Sequence, residues 1–263
     1  MMLKHTFVIP VYKESSYLET CIQNLLKQTA KSEIILSTST PTTFSKELAK
    51  KYQLPYIINH QENKSIANDW NFAVTQANTL YVTIAHQDDI YDENYTKEFL
   101  IQLEKHPNTL IAFSDYSDII NGEVVKSSLN KFVKHCLLFP FRIISSYKNQ
   151  FIKKLILSFG SPICCPTVTY NKETLGNFRF SESYLVALDW LAWLEIANKE
   201  GKFLYVNKDL VKHRIHQESE TTAQLNNGKR LLEEQAILKQ IWGDFLGNII
   251  SKFYVFGHKG NKI

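Results

Sequence analysis

Apolar residues along this chain fall into short runs separated by segments with helical spacing, and that rhythm predicts most of the architecture. Residues 5–9 form a β-rich run stopped by Pro10. Residues 16–28 then place Leu18, Ile22, Leu25 and Leu26 on one helical face, with Ser15 or Ser16 as N-cap. Residues 33–36 read as a second strand, 44–52 as a helix and 55–58 as a third strand. A helix over 65–77, a strand over 80–85, a helix over 93–105 and the apolar run 110–113 continue the alternation. Short apolar strands joined by helices of this length imply an α/β fold: a mostly parallel central sheet with helices on both faces. Ligands of such sheets bind beyond the carboxyl ends of the strands.

The alternation breaks down after the turn dipeptide Asn121-Gly122. Residues 129–159 interleave Phe, Leu and Ile with Lys and Arg, and Pro140 should interrupt any helix through them. Beyond them the pattern predicts a strand over 163–170, a buried helix over 184–198, and short strands over 202–206 and 210–213. A polar loop to Gly228 and a final helix over 229–254 follow. The expected organisation is one domain over 1–222, with a basic helical insertion at about 126–160, and a C-terminal helical extension over 223–263. The stripe Ile237, Leu238, Ile241 and Trp242 on that last helix suits core packing or a homodimer contact.

Composition narrows the class. With 263 residues, 44% hydrophobic and 21% charged, the chain matches one large α/β domain and not a disordered one. Mean hydropathy is −0.22, and no uncharged apolar run reaches the roughly 18 residues of a membrane span. The start runs into Phe7-Val8-Ile9 without a charged region and a long apolar one, so a cytoplasmic protein without a cleaved signal is expected. Cys21, Cys136, Cys164 and Cys165 show no CxxC pairing, which argues against a zinc ribbon or a disulfide framework. The first glycine is Gly122, so nothing before it can form a Walker loop or a GxGxxG turn. The net charge of +4 is local: no acidic residue lies between Glu123 and Glu173, while eight Lys and Arg residues do. A cationic lobe on a slightly acidic body is not the pattern of a nucleic-acid binder.

The densest candidate chemistry is His86-Gln87-Asp88-Asp89-Ile90-Tyr91 at the end of a predicted strand. Adjacent carboxylates repel, so burying them requires a cation or a hydrogen-bond network. One reading is a solvated acidic loop in which Asp89 caps the following helix. The sharper one is a hard divalent cation held by oxygen ligands and bridging a diphosphate.

Taken in register, these segments resemble the inverting family-two glycosyltransferases of GT-A (Rossmann-like) fold over roughly residues 4–222. The family's V-I-P-x-Y-N-E-like opening corresponds to Val8-Ile9-Pro10-Val11-Tyr12-Lys13-Glu14, and its N-x-G-x-x-x-A-R-N-x-G motif to residues 63–73. The D-x-D element, often D-Q-D-D-I-W in bacterial rhamnosyltransferase-like members, falls on residues 86–91. Leu188-Asp189-Trp190-Leu191 resembles their H-D-W-W, and His213-Arg214-Ile215-His216 their Y-R-x-H. The resemblance implies donor contacts from Pro10, Val11, Tyr12, Glu14, Thr38, Asp69, Asn71, His86, Gln87 and Asp88. It further implies Mn2+ or Mg2+ on Asp88 and His216, an acceptor side at Trp190 and Arg214, and Asp189 as general base.

Asp189 interrupts an apolar helix, where a bare carboxylate is costly to bury; its other role would be helix N-cap. The family's V-D-D-G-S-T-D is here Leu36-Ser37-Thr38-Ser39-Thr40-Pro41, so the nucleotide pocket diverges. The function implied is transfer of a sugar from a UDP- or dTDP-linked donor to a bacterial cell-surface glycan or lipid-linked oligosaccharide. The alternative is an inactive GT-A-like module binding nucleotide-sugar or glycan. For the basic lobe the choice is between a solvated insertion and a cationic face, including Lys131, Lys134, Lys153 and Lys154, lying on an anionic membrane. His5, His60, His106, His135 and His258 read as structural.

Overall fold

The computed structural model describes residues 3–125, 128–216 and 228–259. Strands β1 (His5–Pro10), β2 (Glu33–Thr38) and β3 (Tyr56–Ile58) alternate with helices α1 (Leu18–Leu26) and α2 (Thr43–Lys51). Helix α3 (Ile66–Gln76) leads into β4 (Tyr81–Ile84), and β5 (Ile90–Tyr91), α4 (Tyr95–Lys105), β6 (Thr109–Ile120) and β7 (Glu123–Val125) follow. The insertion comprises α5 (Leu129–Leu137), α6 (Phe139–Ile143), β8 (Ser146–Tyr147) and α7 (Gln150–Leu157). After it come β9 (Thr169–Asn171), α8 (Lys172–Leu175), α9 (Leu188–Ala197), β10 (Lys202–Ile215) and α10 (Lys229–Lys259).

All these strands join one sheet in the order β3-β2-β1-β4-β9-β6-β10-β5, with β7 on β6 and β8 on β10. The block β3-β2-β1-β4 is parallel, as is the pair β6–β10, and β9 runs antiparallel between them. Successive residues of β1 serve opposite faces: Phe7 and Ile9 pack beside α1 and α4, Val8 beside α3 and α9. Covering on both faces is why the strands read as unbroken apolar runs. Each fully buried side chain of this size contributes about 1.5–3 kcal/mol.

Several local expectations are corrected. Residues 163–170 are not one strand, because Pro166 has no N–H for a ladder; a 3-10 turn over Cys165–Thr167 precedes the short β9. Residues 202–215 are one strand instead of two, since bulges around Asp209 absorb the exposed Asn207 and Lys208 without breaking the pairing to β6. Helix α1 is capped at Tyr17 without a side-chain bond, and Ser15 Oγ instead accepts the Tyr17 N–H at 3.3 Å. Pro140 does interrupt the insertion, sitting in the first turn of α6. Within α10, Gly243 (φ 76°, ψ 169°) breaks the helix into two segments, a conformation glycine alone adopts readily. Lys126, most of the polar loop before Gly228, and residues 260–263 lie outside the described residues.

Candidate active site

The carboxyl ends of β1, β2, β4 and β10 converge on one edge of the sheet. Gln87 clamps the exit of β1: its Oε1 accepts the Tyr12 N–H at 3.2 Å and its Nε2 donates to the Tyr12 carbonyl at 3.1 Å. This fixes the segment Pro10-Val11-Tyr12, with Tyr12 and Glu14 exposed beside it. At the end of β2, the Lys13 N–H donates to Thr40 Oγ1 at 2.8 Å and the Thr40 N–H to Thr38 Oγ1 at 3.0 Å. Asp69, in the first turn of α3, accepts from Ser39 Oγ at 2.7 Å and Asn59 Nδ2 at 2.9 Å. Hydroxyls and amides thus brace this edge where an acidic residue of β2 is missing.

Strand β5 pairs antiparallel with β10, Ile90 opposite Lys212, and so lays the turn 86–89 against residues 213–216. Asp89 is 1% exposed and accepts the Arg214 N–H at 2.8 Å through Oδ1. It is neither solvated nor a cap, since the N-cap of α4 is Asn94. Arg214 Nε donates to the Asp88 carbonyl at 3.0 Å, and its guanidinium lies 4.3 Å from the centre of the Tyr17 ring. Arg214 therefore braces the acidic turn. His216 Nε2 sits 3.0 Å from Asp88 Oδ2, and His213 Nδ1 3.2 Å from Asp118 Oδ1.

His86 and Asp89 carry the unsatisfied atoms of this site. Among the described residues His86 Nε2 and Asp89 Oδ2 are buried with no hydrogen-bond partner, and His86 Nδ1 stands 3.9 Å from Asp89 Oδ2. Ligand atoms of His86, Asp88 and Asp89 all lie within 4.8 Å of one another. Burial pushes Asp89 up to about 7 and His86 down to about 4. Burial would also raise Asp88, but the hydrogen bond with His216 and the charges of His86 and His213 outweigh it and hold that carboxyl below its ordinary value. Two carboxylates and an imidazole with orphaned buried atoms form a donor set that fits a divalent cation, which would compensate their burial.

Asp189 lies in the first turn of α9 and not at its N-cap, which is Ala187; its Oδ1 accepts the Trp190 N–H at 2.7 Å. Burial raises its proton affinity, opposed by the charges of Arg230 and Lys134 and reinforced by Glu234. Burial pushes the Cys164 thiol well up, a rise that Lys134 opposes and the charges of Asp89, Asp118 and Asp189 reinforce.

Sequence patterns did not point to three features of this wall. Lys134 reaches inward from α5 and donates to Tyr116 Oη at 3.0 Å. Arg230 comes from α10, where its Nε pairs with Glu234 at 2.9 Å. Glu233 accepts the N–H groups of Leu185 at 2.9 Å, Val186 at 2.8 Å and Ala187 at 2.9 Å, ordering the entry to α9.

Other expected residues are placed elsewhere. The Asn71 amide exchanges two hydrogen bonds with the backbone of Phe180, at 2.9 and 2.8 Å, and so ties α3 to the loop before α9. Trp190 is 1% exposed, with Nε1 on the Leu157 carbonyl at 2.9 Å, and as packed offers an acceptor no surface. Cavities of about 270 and 490 Å³ flank α3 beside Arg179 and Phe180, and neither is lined by the acidic cluster.

The comparisons place this mixed sheet and its acidic carboxyl edge in a known family. The family model for glycosyl transferase family 2 matches residues 6–175, and the chain belongs to that family. Glycosyltransferase GlyG of Streptococcus pneumoniae serotype 4 is 30% identical over 115 residues, 42% of this chain and 38% of the relative. Glycosyltransferase GlyA of the same organism is 26% identical over 120 residues, 43% of this chain and 17% of the relative. The matched stretches thus span well under half of these curated relatives. The crystal structure of S. aureus TarS 1–349 in complex with UDP-GlcNAc superposes with TM-score 0.64 at 16% identity, covering 97% of this chain and 72% of that one. Mannosyltransferase PcManGT from Pyrobaculum calidifontis, in complex with GDP-Man and Mn2+, gives 0.60 at 12% identity, covering 99% and 76%. The chain shares their GT-A fold.

Proposed function

We propose that this chain is an inverting, divalent-metal-dependent glycosyltransferase moving a hexosyl or rhamnosyl unit from a UDP- or dTDP-linked donor to a bacterial cell-surface glycan or lipid-linked oligosaccharide. The observation that carries the reading is the His86, Asp88 and Asp89 donor set, with its orphaned buried atoms, at the carboxyl end of β4. The named neighbours support the donor class, one being bound to UDP-GlcNAc and another to GDP-Man with Mn2+.

His86, Asp88 and Asp89 would hold the cation, which when bound supplies positive charge to the leaving diphosphate. The ordered backbone at Pro10, Val11 and Tyr12, with Thr38 and Asp69 beside it, forms the donor's nucleotide side. Asp189 takes the proton of the acceptor hydroxyl as its oxygen bonds to C1 of the sugar and the bond from C1 to the diphosphate oxygen breaks. Arg230 and Lys134 favour the ionised form that this step needs.

Asp189→Asn tests the assignment. Asn keeps the size and the acceptor oxygen facing the Trp190 N–H but cannot take a proton. Transfer to a lipid-linked or synthetic acceptor should fall by at least about 10²-fold with donor binding and melting temperature unchanged. Near-wild-type turnover would move the base elsewhere.

A further inference from the structure

The helical insertion is apolar on both sides. Its inner residues, Leu138, Phe141, Ile156 and Leu157, belong to the core beneath the sheet. Its outer face should then be polar, and it is not. Phe132 on α5 is 65% exposed, Ile143 on α6 69% and Phe151 on α7 72%, with Phe139 and Leu155 exposed beside them. The spacing is helical in each segment: Phe139 and Ile143, and Phe151 and Leu155, stand four residues apart and share a face. α6 and α7 thus each turn an apolar pair to solvent and α5 adds Phe132, more large side chain than an isolated patch accounts for.

The charges of the same lobe point elsewhere than the sequence pattern suggested. Lys131 is 5% exposed and its Nζ donates to the Tyr116 carbonyl, while Lys134 is held by Tyr116 Oη. Lys153 is fully buried, its Nζ donating to the carbonyls of Lys199 and Gly201 at 2.9 Å each. Arg142 pairs with Asp115 at 3.0 Å. Among the described residues of the lobe, Lys148 and Lys154 are exposed beside the apolar side chains, as is Arg142, which pairs with Asp115, and no acidic residue occurs from 124 to 172.

We propose that the outer face of α5, α6 and α7 seats the protein on an anionic phospholipid surface, with Phe132, Phe139, Ile143 and Phe151 entering the interface and Lys148 and Lys154 meeting the headgroups. Large apolar side chains flanked by lysine, in a segment with no carboxylate of its own, suit a lipid interface, where a carboxylate would be repelled. Because Lys131, Lys134 and Lys153 are engaged inside the protein and Arg142 is paired with Asp115, insertion dominates over charge, and salt should weaken binding only modestly. This inference stands apart from the assignment of Asp189 as base, since vesicle binding is measured without turnover.

The experiment is cosedimentation of the full chain with phosphatidylglycerol vesicles and with phosphatidylcholine vesicles, alongside light scattering of the protein alone. Wild type should pellet with the anionic vesicles. Replacing Phe132, Phe139, Ile143 and Phe151 by Ser should lower the partition by about tenfold or more without lowering the melting temperature, because all four side chains are exposed. Lys148→Gln with Lys154→Gln should retain part of the binding but lose the preference for the anionic lipid. Absence of wild-type pelleting, equal pelleting of the serine variant, or equal affinity for phosphatidylcholine would overturn the proposal. So would a wild-type dimer that the serine variant dissolves in the absence of any vesicle binding, which would assign the face to a second copy.

Discussion

Asp89 shows how much one buried carboxylate can determine. Its Oδ1 is satisfied by the Arg214 N–H, and its Oδ2 has no hydrogen-bond partner among the described residues. Burial favours the neutral acid in the fold, pushing it to about 7, against about 3.9 for an unfolded chain. Between those values the native state binds more protons than the unfolded one, so this residue's contribution to stability is lost as pH rises from about 4 to 7. Asp89→Asn keeps the acceptor for Arg214 and removes the buried charge. In metal-free protein it should raise the melting temperature at pH 8, where the buried carboxylate would be charged, and make little difference at pH 4. The increment that Mn2+ adds to wild type at pH 8 should shrink in the variant. Thermal melts at both pH values, with and without Mn2+, would check this; a variant less stable than wild type at pH 8 would contradict it. The sequence made this turn legible because two carboxylates after an apolar strand need an explanation. It hid the division of labour, because the pairing of β5 with β10 that decides which carboxylate is buried is a long-range contact without a local pattern.

At the scale of elements, the entry to α9 is held from outside. Its N-cap, Ala187, has no side chain able to accept a hydrogen bond, and the amides of residues 185–187 converge on Glu233 of α10. A carboxylate receiving three N–H groups substitutes for a cap and also favours the positive end of the helix dipole. Trp190 packs against Ile237 and Leu238 of α10, so the C-terminal helix forms the wall behind Asp189. Nothing in residues 229–238 announces this, since a glutamate on a helix with an apolar stripe reads as a solvated face. Glu233→Ala should leave three amides without their acceptor, cost about 1–3 kcal/mol of stability, and lower kcat more than it raises KM for the donor. Glu233→Gln keeps an acceptor oxygen and should recover part of kcat. Equal losses in the two variants, or a loss confined to KM, would mean that Glu233 does not position the base. The strands and helices of the first third were legible because both periodicities are strong there. The insertion was legible as helical, but the direction of its lysines was not, because a lysine among apolar residues reaches either water or a buried carbonyl with the same sequence pattern.

Across the whole molecule, the sheet is knitted under α4 by a buried polar chain that bears on its tolerance of acid. His5 on β1 lies between Ser32 Oγ and Thr83 Oγ1, at 2.9 Å each, and Thr83 Oγ1 continues to Thr169 Oγ1 on β9 at 2.8 Å. Tyr95 Oη closes the group, 3.1 Å from Thr169 Oγ1 and donating to the Thr167 carbonyl at 3.0 Å. The network joins β1, β4 and β9 at the seam where the parallel block meets its antiparallel neighbour. Burial depresses His5 to about 3, so the folded protein holds this imidazole neutral where an unfolded chain would protonate it below about 6.5. The unfolded state then binds the extra proton, and the stability associated with neutral His5 is present above pH 6.5 and lost as pH falls toward 3. His86, depressed to about 4 for the same reason, adds to the slope, while Asp89 opposes it over part of the range. His5→Gln retains a donor and an acceptor but takes up no proton. It should be less stable than wild type at pH 7.5, because an amide cannot span both hydroxyls as the ring does. Its melting temperature should nevertheless decline less between pH 6.5 and 4, so the two curves converge. Parallel curves would mean that His5 does not carry the acid sensitivity, and steeper loss in the variant would place the titrating group elsewhere in the network.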